Sequence, residues 1–142
     1  MTNRKGCQAC MGCKKAGHCV VKDDLTPVLD AIRNADGIIL STPDYFGDSC
    51  GQYRLLEDRM YGFINGDFSV NIDAGKKVAV IVTCGNGYDG AVKIADKIEG
   101  TMVNYFKCES IGKIVMNNGG APNAASENAE VLNQAKTIGK KF

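Results

Sequence analysis

Long hydrophobic runs are missing from this chain of 142 residues. The longest, Gly37-Ile38-Ile39-Leu40 and Val78-Ala79-Val80-Ile81-Val82, are strand-sized, far below the ~20 apolar residues that span a bilayer. A surplus of either charge is missing too. Lys and Arg number 17 against 16 Asp and Glu, a net +1, which makes no case for nucleic acid or an anionic membrane as the main partner. The opening Met1-Thr2-Asn3-Arg4-Lys5-Gly6 carries no apolar signal segment, so the expectation is a cytoplasmic chain with reduced thiols. Repeats and low-complexity tracts are absent. Hydrophobic residues at 44% and charged residues at 23% exclude a disordered chain, and the length suits one core rather than two.

Cysteine is the exception to this ordinary composition. There are seven, and an odd count in a reducing compartment argues against a disulfide framework. Four of them, Cys7, Cys10, Cys13 and Cys19, fall within the first nineteen residues. Residues 1–22 also hold five bases (Arg4, Lys5, Lys14, Lys15, Lys22) and no acid, while the rest holds 12 bases and 16 acids. Composition thus divides the chain into a basic cysteine-rich segment, 1–22, and a mildly acidic body, 23–142, within one structural domain.

The body alternates helical and strand patterns. Asp23-Asp24-Leu25-Thr26-Pro27 offers an Asp N-cap and a Pro in the first turn. Leu25, Val28, Leu29 and Ile32 then mark one helix face. Gly37–Ser41 reads as a short strand buried on both faces, followed by a loop over Thr42–Ser49. Tyr53, Leu56, Met60 and Phe63 mark a helix at about 51–63. Lys77–Thr83 reads as a second strand, which enters a glycine-rich loop over Cys84–Gly90. Ala91, Ile94, Ala95, Ile98 and Met102 predict the next helix. Ile111–Met116 is a third strand, and Val131, Leu132, Ala135 and Ile138 mark a last helix. Such alternation predicts an α/β fold with a parallel sheet, whose ligands sit beyond the carboxyl ends of the strands. The loops at 42–49, 84–90 and 117–121 lie at that edge.

The pattern Cys7-x2-Cys10-x2-Cys13-x5-Cys19 can close four thiolates around one metal centre. Close runs of this kind hold iron–sulfur clusters of the 4Fe–4S type, and soft thiolates select such clusters or zinc. Zinc is the main rival, although its usual sites pair two Cys knuckles across a longer gap. Four free thiols, or a disulfide pair, are the plain alternative. Arg4, Lys5, Lys14 and Lys15 would offset the negative charge of a cubane with four thiolates. His18 precedes Cys19 and reads as a solvent or hydrogen-bonding residue rather than a ligand. Cys50, Cys84 and Cys108 read as buried small hydrophobes, with Cys84 able to touch a ligand of its loop.

Cys7–Cys19, Asp23-Asp24-Leu25, the run Ala35-Asp36-Gly37-Ile38-Ile39-Leu40-Ser41-Thr42-Pro43-Asp44-Tyr45-Phe46-Gly47 and Asp58-Arg59 together resemble the NADPH-dependent FMN reductase family of flavodoxin-like proteins. The four-cysteine run is similar to its iron–sulfur flavoprotein branch. The resemblance covers roughly residues 7–120. It implies a flavodoxin-like fold, FMN, and electron transfer between FMN and a 4Fe–4S cluster held by Cys7, Cys10, Cys13 and Cys19. It places Thr42, Pro43, Asp44, Tyr45, Phe46 and Gly47 along the isoalloxazine edge. Cys84, Gly85, Asn86, Gly87, Tyr88 and Gly90 would form the second flavin loop. The physics is compatible: Tyr45, Phe46 and Tyr88 can wall an isoalloxazine, and glycines allow close approach of main chain. Asp58 and Arg59 read as a fold-stabilising ion pair.

Members of that family open with a strand, a Ser/Thr-rich phosphate loop, a helix and a second strand ahead of the cysteine run. None of these precedes Cys7 here. The resemblance therefore implies an N-terminally truncated flavodoxin-like sheet with an open inner edge. That edge predicts a homo-oligomer, or a complementary chain supplying the missing strand and phosphate loop. A redox partner of the ferredoxin kind is compatible. Two other functions stay open at this stage: a metal- or cluster-binding subunit without its own flavin, docking on a complementary chain, and a flavin-only NAD(P)H-dependent FMN reductase.

Overall fold

The computed structural model describes residues 3–142. The chain forms two compact units, each assembled from two separate stretches: residues 1–35 with 51–74, and residues 36–50 with 75–142.

The first unit is helical. It holds the single turn α1 (Cys13–Ala16), α2 (Thr26–Asn34), α3 (Gly51–Arg59) and a 3-10 turn over Met60–Phe63. The N-cap of α2 is Leu25, without a side-chain cap, and Asp23 instead braces the turn before it: its Oδ1 accepts the Leu25 N–H, and the Thr26 Oγ1 accepts the Asp23 N–H. The two bonds run in opposite directions across the turn, as in a capping box. Leu25, Leu29 and Ile32 are buried as predicted, but Val28 is exposed. Tyr53, Met60 and Phe63 are buried along the 51–63 stretch, which tightens from α-helix to 3-10 helix at Met60.

The second unit carries the sheet: β1 (Gly37–Tyr45), β2 (Asp48–Ser49), β3 (Lys77–Thr83) and β4 (Glu109–Met116), in the order β2-β1-β3-β4. The β1–β3 and β3–β4 pairs are parallel, and β2 is a short antiparallel return on the tip of β1. Its helices are α4 (Tyr88–Asn104), α5 (Ala124–Glu127) and α6 (Ala129–Gly139). The predicted face of α4, Ala91, Ile94, Ala95, Ile98 and Met102, is wholly buried. Each large apolar side chain removed from water in this way contributes about 1.5–3 kcal/mol. Val78, Ala79, Val80 and Val82 of β3 are buried, as a central parallel strand requires. At the β3–β4 bulge, Gly112 stands at φ +145°, and a Cβ there would come within 2.8 Å of Ile138 of α6.

Two expectations about the first strand need correction. Ile38, Leu40 and Thr42 are buried but Ile39 is 59% exposed and Ser41 is exposed, so β1 is covered on one face rather than both. The strand also runs on to Tyr45, so the first half of the expected 42–49 loop is strand, turned by Phe46-Gly47 into β2. Pro43 is tolerated because β1 is an edge there: among the described residues β2 pairs only with Asp44 and Tyr45. No helix of the described residues is long and apolar enough to cross a membrane.

Candidate functional site

The cysteine run occupies the first unit. Cys7, Cys10, Cys13 and Cys19 all line one small cavity of about 20 Å³, together with Val20, Val21, Arg59 and Gly62. Its outer wall is the loop itself, where Cys7 and Cys10 are exposed; Cys13 is buried and Cys19 half-buried. Among the described residues, no three His, Cys, Asp or Glu side chains gather tightly enough to hold a single ion. Ligands of one zinc lie ~2.3 Å from the metal when they are thiolates, whereas the terminal thiolates of a cubane bind separate iron corners. Four cysteines on one cavity are a donor set of the kind an iron–sulfur cluster uses.

The backbone of the loop supports the same chemistry. Ala9 at φ +51° and Met11 at φ +56° adopt left-handed conformations that non-glycine residues rarely hold. Alternating right- and left-handed residues turn successive N–H groups into a concavity for negative charge, a device of phosphate and iron–sulfur sites. No protein acceptor among the described residues engages the N–H groups of residues 7–12.

Three residues hold the loop. Gly62 passes so close to Cys19 that a Cβ would sit 3.0 Å from the Cys19 N and 3.2 Å from its Cβ. Lys14 donates from Nζ to the carbonyls of Tyr61 (3.0 Å) and Ile64, with the ammonium 3.4 Å from the Tyr61 ring centre. Its charge is thus directed at these carbonyls rather than freely available to offset a cluster. Arg59 is fully buried and reaches the Asp23 carboxylate at 2.8 Å, the Lys5 carbonyl at 3.0 Å and the Val21 carbonyl at 2.9 Å. Its Nε–H donates to the Cys19 Sγ at 3.0 Å. Burial alone would push the Asp23 carboxyl up, but hydrogen bonds from the Lys5 N–H, Arg59 and the Leu25 N–H hold it below its ordinary value. Burial likewise opposes the Arg59 charge, and Asp23 and Cys19 reverse that effect.

The expected Asp58–Arg59 pair does not form. Asp58 is half-exposed and lies 3.9 Å from Arg54, while Arg59 pairs with Asp23. Consecutive helical residues point in different directions, so the adjacency of Asp58 and Arg59 in sequence was the wrong signal. His18 is exposed, with Nδ1 2.9 Å from the Ala16 carbonyl oxygen.

The second pair of candidate loops lies in the sheet unit, at the carboxyl ends of β1 and β3. Pro43 is paired with Thr83 across the ladder, and a Cβ on Gly90 would meet the Asp44 carboxylate at 3.5 Å, so the two loops are neighbours. Tyr45, Phe46 and Tyr88 are all exposed, Phe46 completely. Phe46 and Gly47 both have positive φ, 58° and 81°, the signature of a tight primed hairpin turn. Asp44 Oδ1 accepts the Gly47 N–H at 2.8 Å. Thr42 is buried, and its hydroxyl accepts the Cys50 N–H at 3.0 Å while donating to the Pro43 carbonyl at 2.9 Å. Gly85, Asn86 and Gly87 are exposed, with Gly87 at φ +90° as it opens α4. Cys84 is buried, and burial first and Asp44 second push its thiol above the ordinary value. The nearby turn closes through Gly119 N–H to the Cys84 carbonyl, 2.9 Å. Cys50 and Cys108 are buried.

The same loop holds a further sequence signal. Gly85-Asn86-Gly87-Tyr88-Asp89-Gly90 has Gly-x-Gly-x-x-Gly spacing between a strand and a helix. The acidic residue that accompanies it in dinucleotide-binding folds has no counterpart where β4 ends, Met116-Asn117-Asn118.

A four-stranded, mainly parallel sheet with flanking helices and its loops at the carboxyl edge defines a flavodoxin-like α/β protein. Residues 4–136 match the profile of the NADPH-dependent FMN reductase family, and the chain belongs to that family. It is 34% identical over 87 residues to an iron–sulfur flavoprotein of Methanocaldococcus jannaschii, covering 61% of this chain and 45% of that protein. It is 36% identical over 87 residues to one of Archaeoglobus fulgidus, covering 61% and 40%. With one of Methanosarcina thermophila the identity is 32% over 74 residues, covering 52% and 39%. The chain spans less than half the length of these curated relatives.

Proposed function

We propose that this chain is part of an iron–sulfur flavoprotein, an electron-transfer oxidoreductase that passes electrons between FMN and a 4Fe–4S cluster. The observation that carries the reading is the gathering of Cys7, Cys10, Cys13 and Cys19 on one cavity wall, under a loop with left-handed Ala9 and Met11. These four residues hold the cluster. Thr42 to Gly47 and Cys84 to Gly90 border the flavin, with Tyr45, Phe46 and Tyr88 as its wall and backbone groups as its polar partners. When bound, FMN supplies two-electron chemistry and the cluster one-electron steps. The chain's own residues bind, orient and shield them: Gly62 and Arg59 position Cys19, and the buried Thr42 hydroxyl fixes the end of β1. The names of the relatives support both cofactors. The working setting is the cytoplasm, where thiols stay reduced.

The test is the visible spectrum of anaerobically purified and reconstituted protein, with iron and acid-labile sulfide measured on the same sample. Structured flavin bands together with a broad brown absorbance and four irons per chain support the reading. A cluster spectrum without flavin would reduce the chain to a cluster-binding subunit. One tight zinc and no sulfide would replace the cluster reading altogether.

A further inference from the structure

Arg59 does more than close a buried ion pair. Its charge is already matched by Asp23, at 2.8 Å, with both side chains removed from solvent. Two more donors go to carbonyls on either flank of the cysteine loop, Lys5 before it and Val21 after it. The remaining contact is the informative one: Nε–H points at the Cys19 sulfur, 3.0 Å away. A guanidinium can only donate, and a neutral thiol is a weak acceptor. The arrangement is matched to a thiolate. Gly62 packs against the same residue: a Cβ there would come within 3.0 Å of the Cys19 N. Cys19 is the one cysteine of the run clamped in this way, and the one set apart by a longer spacing.

We propose that Arg59 is a positioning residue that pre-sets Cys19 as the fourth thiolate and raises the reduction potential of the bound cluster through its N–H···S hydrogen bond. This rests on the cluster reading above. Taking up one electron adds one negative charge to the cluster and breaks no bond. A donor aimed at a ligand sulfur stabilises the more negative state, and hydrogen bonds to the sulfurs are among the factors that set such potentials. Because Asp23 cancels the net charge, the effect belongs to the directed N–H and not to a nearby cation.

The experiment compares the unaltered chain with Arg59→Lys, both reconstituted anaerobically and titrated with dithionite against redox dyes. Lysine keeps the charge but has no Nε–H fork to serve four acceptors at once. The expected result is a lower midpoint potential in R59K at an unchanged ratio of iron to sulfide. Equal potentials with equal iron would show that Arg59 is structural only. If R59K fails to fold or to load, a protein that keeps Arg59 answers alone, with R4K and R33K removing the arginine beside the cysteine run and the one that donates to its Gly17 carbonyl. Labelled with 15N-arginine and reduced, it should show electron-spin-echo modulation from an arginine nitrogen; no modulation overturns the proposal. Absence of iron from the unaltered chain would overturn the cluster reading and this inference with it, a result distinct from either of the others.

Discussion

Cys13 is the buried member of the cysteine run, so as a proposed ligand it cannot be replaced by solvent as an exposed residue can. Cys13→Ser should therefore strip most of the iron, while the sheet unit, built from other residues, keeps its fold. Full iron retention in that variant would sink the ligand assignment. In the sheet unit, Lys113 joins Asp96 at 2.5 Å and Glu99 at 2.7 Å. Hydrogen bonds to Asp96 and Glu99 hold the Lys113 ammonium above its ordinary value. Burial alone would raise the Glu99 carboxyl, but hydrogen bonds from Lys113 and Ser110 bring it down. A lowered carboxyl stabilises the fold above its unfolded value, about 4.3, and that contribution is lost as pH falls through the folded value. A raised ammonium contributes fully below its unfolded value, about 10.4, and loses its contribution as pH rises through the folded one. Lys113→Ala should then cost about 0.2–1 kcal/mol at neutral pH, the range for partly exposed pairs. The penalty should be flat between these limits and should shrink below about pH 4. A penalty unchanged at pH 3 by denaturant titration would contradict the assignment.

The hairpin at the end of β1 shows what one strained residue can be for. Phe46 is fully exposed in a left-handed conformation, which costs an L-residue about 1–2 kcal/mol. Strain of this kind is retained where something else uses the side chain. Phe46→Gly should leave the sheet unit as stable or up to about 1 kcal/mol more stable, because glycine has its own entropic cost of about 0.5–1 kcal/mol. The same change should weaken FMN binding. Tyr45→Ala should weaken it too, as should Gly85→Val, whose side chain would project into open space beside the loop. Lys140→Ala is the surface control. Equal flavin affinity in all four variants, by fluorescence quenching, would remove these loops from the site.

Elements were legible in sequence wherever burial was two-sided or periodic. The Lys77–Thr83 strand and the α4 face could be read directly because packing alone decides them. Gly37–Ser41 misled because a run of apolar residues looks the same whether one face or both are covered; Ile39 is exposed despite its chemistry. The hairpin was hidden because Phe at a positive φ carries no turn signal in its residue type. In the cysteine segment, spacing marks Cys7, Cys10, Cys13 and Cys19 as candidate ligands, but the partner of Arg59 lies thirty-six residues away at Asp23, and no local pattern announces a contact of that kind.

At the scale of the molecule, β1 leaves its outer backbone groups from Gly37 to Pro43 without a strand partner among the described residues. Ile39 stands exposed beside that edge. Long, apolar, unpaired edges seek another strand. At micromolar concentration, light scattering should report a particle larger than one chain, most simply a two-fold dimer. Ile39→Lys, a charge placed where natural edges carry one, should shift it toward the monomer. A monodisperse single chain with a cooperative melt would show that the edge is closed without a partner.

The interleaving of the two units has a consequence during synthesis. The first unit needs residues up to 74, and the sheet unit needs its strand at 36–50 joined by everything after 75. A ribosome therefore releases β1 well before β3 exists to pair with it. At ~5–20 residues per second, the interval between Tyr45 and Thr83 lasts about 2–8 s. For that time β1 waits without the strand it pairs with in the finished sheet, and its apolar residues stay open to other contacts.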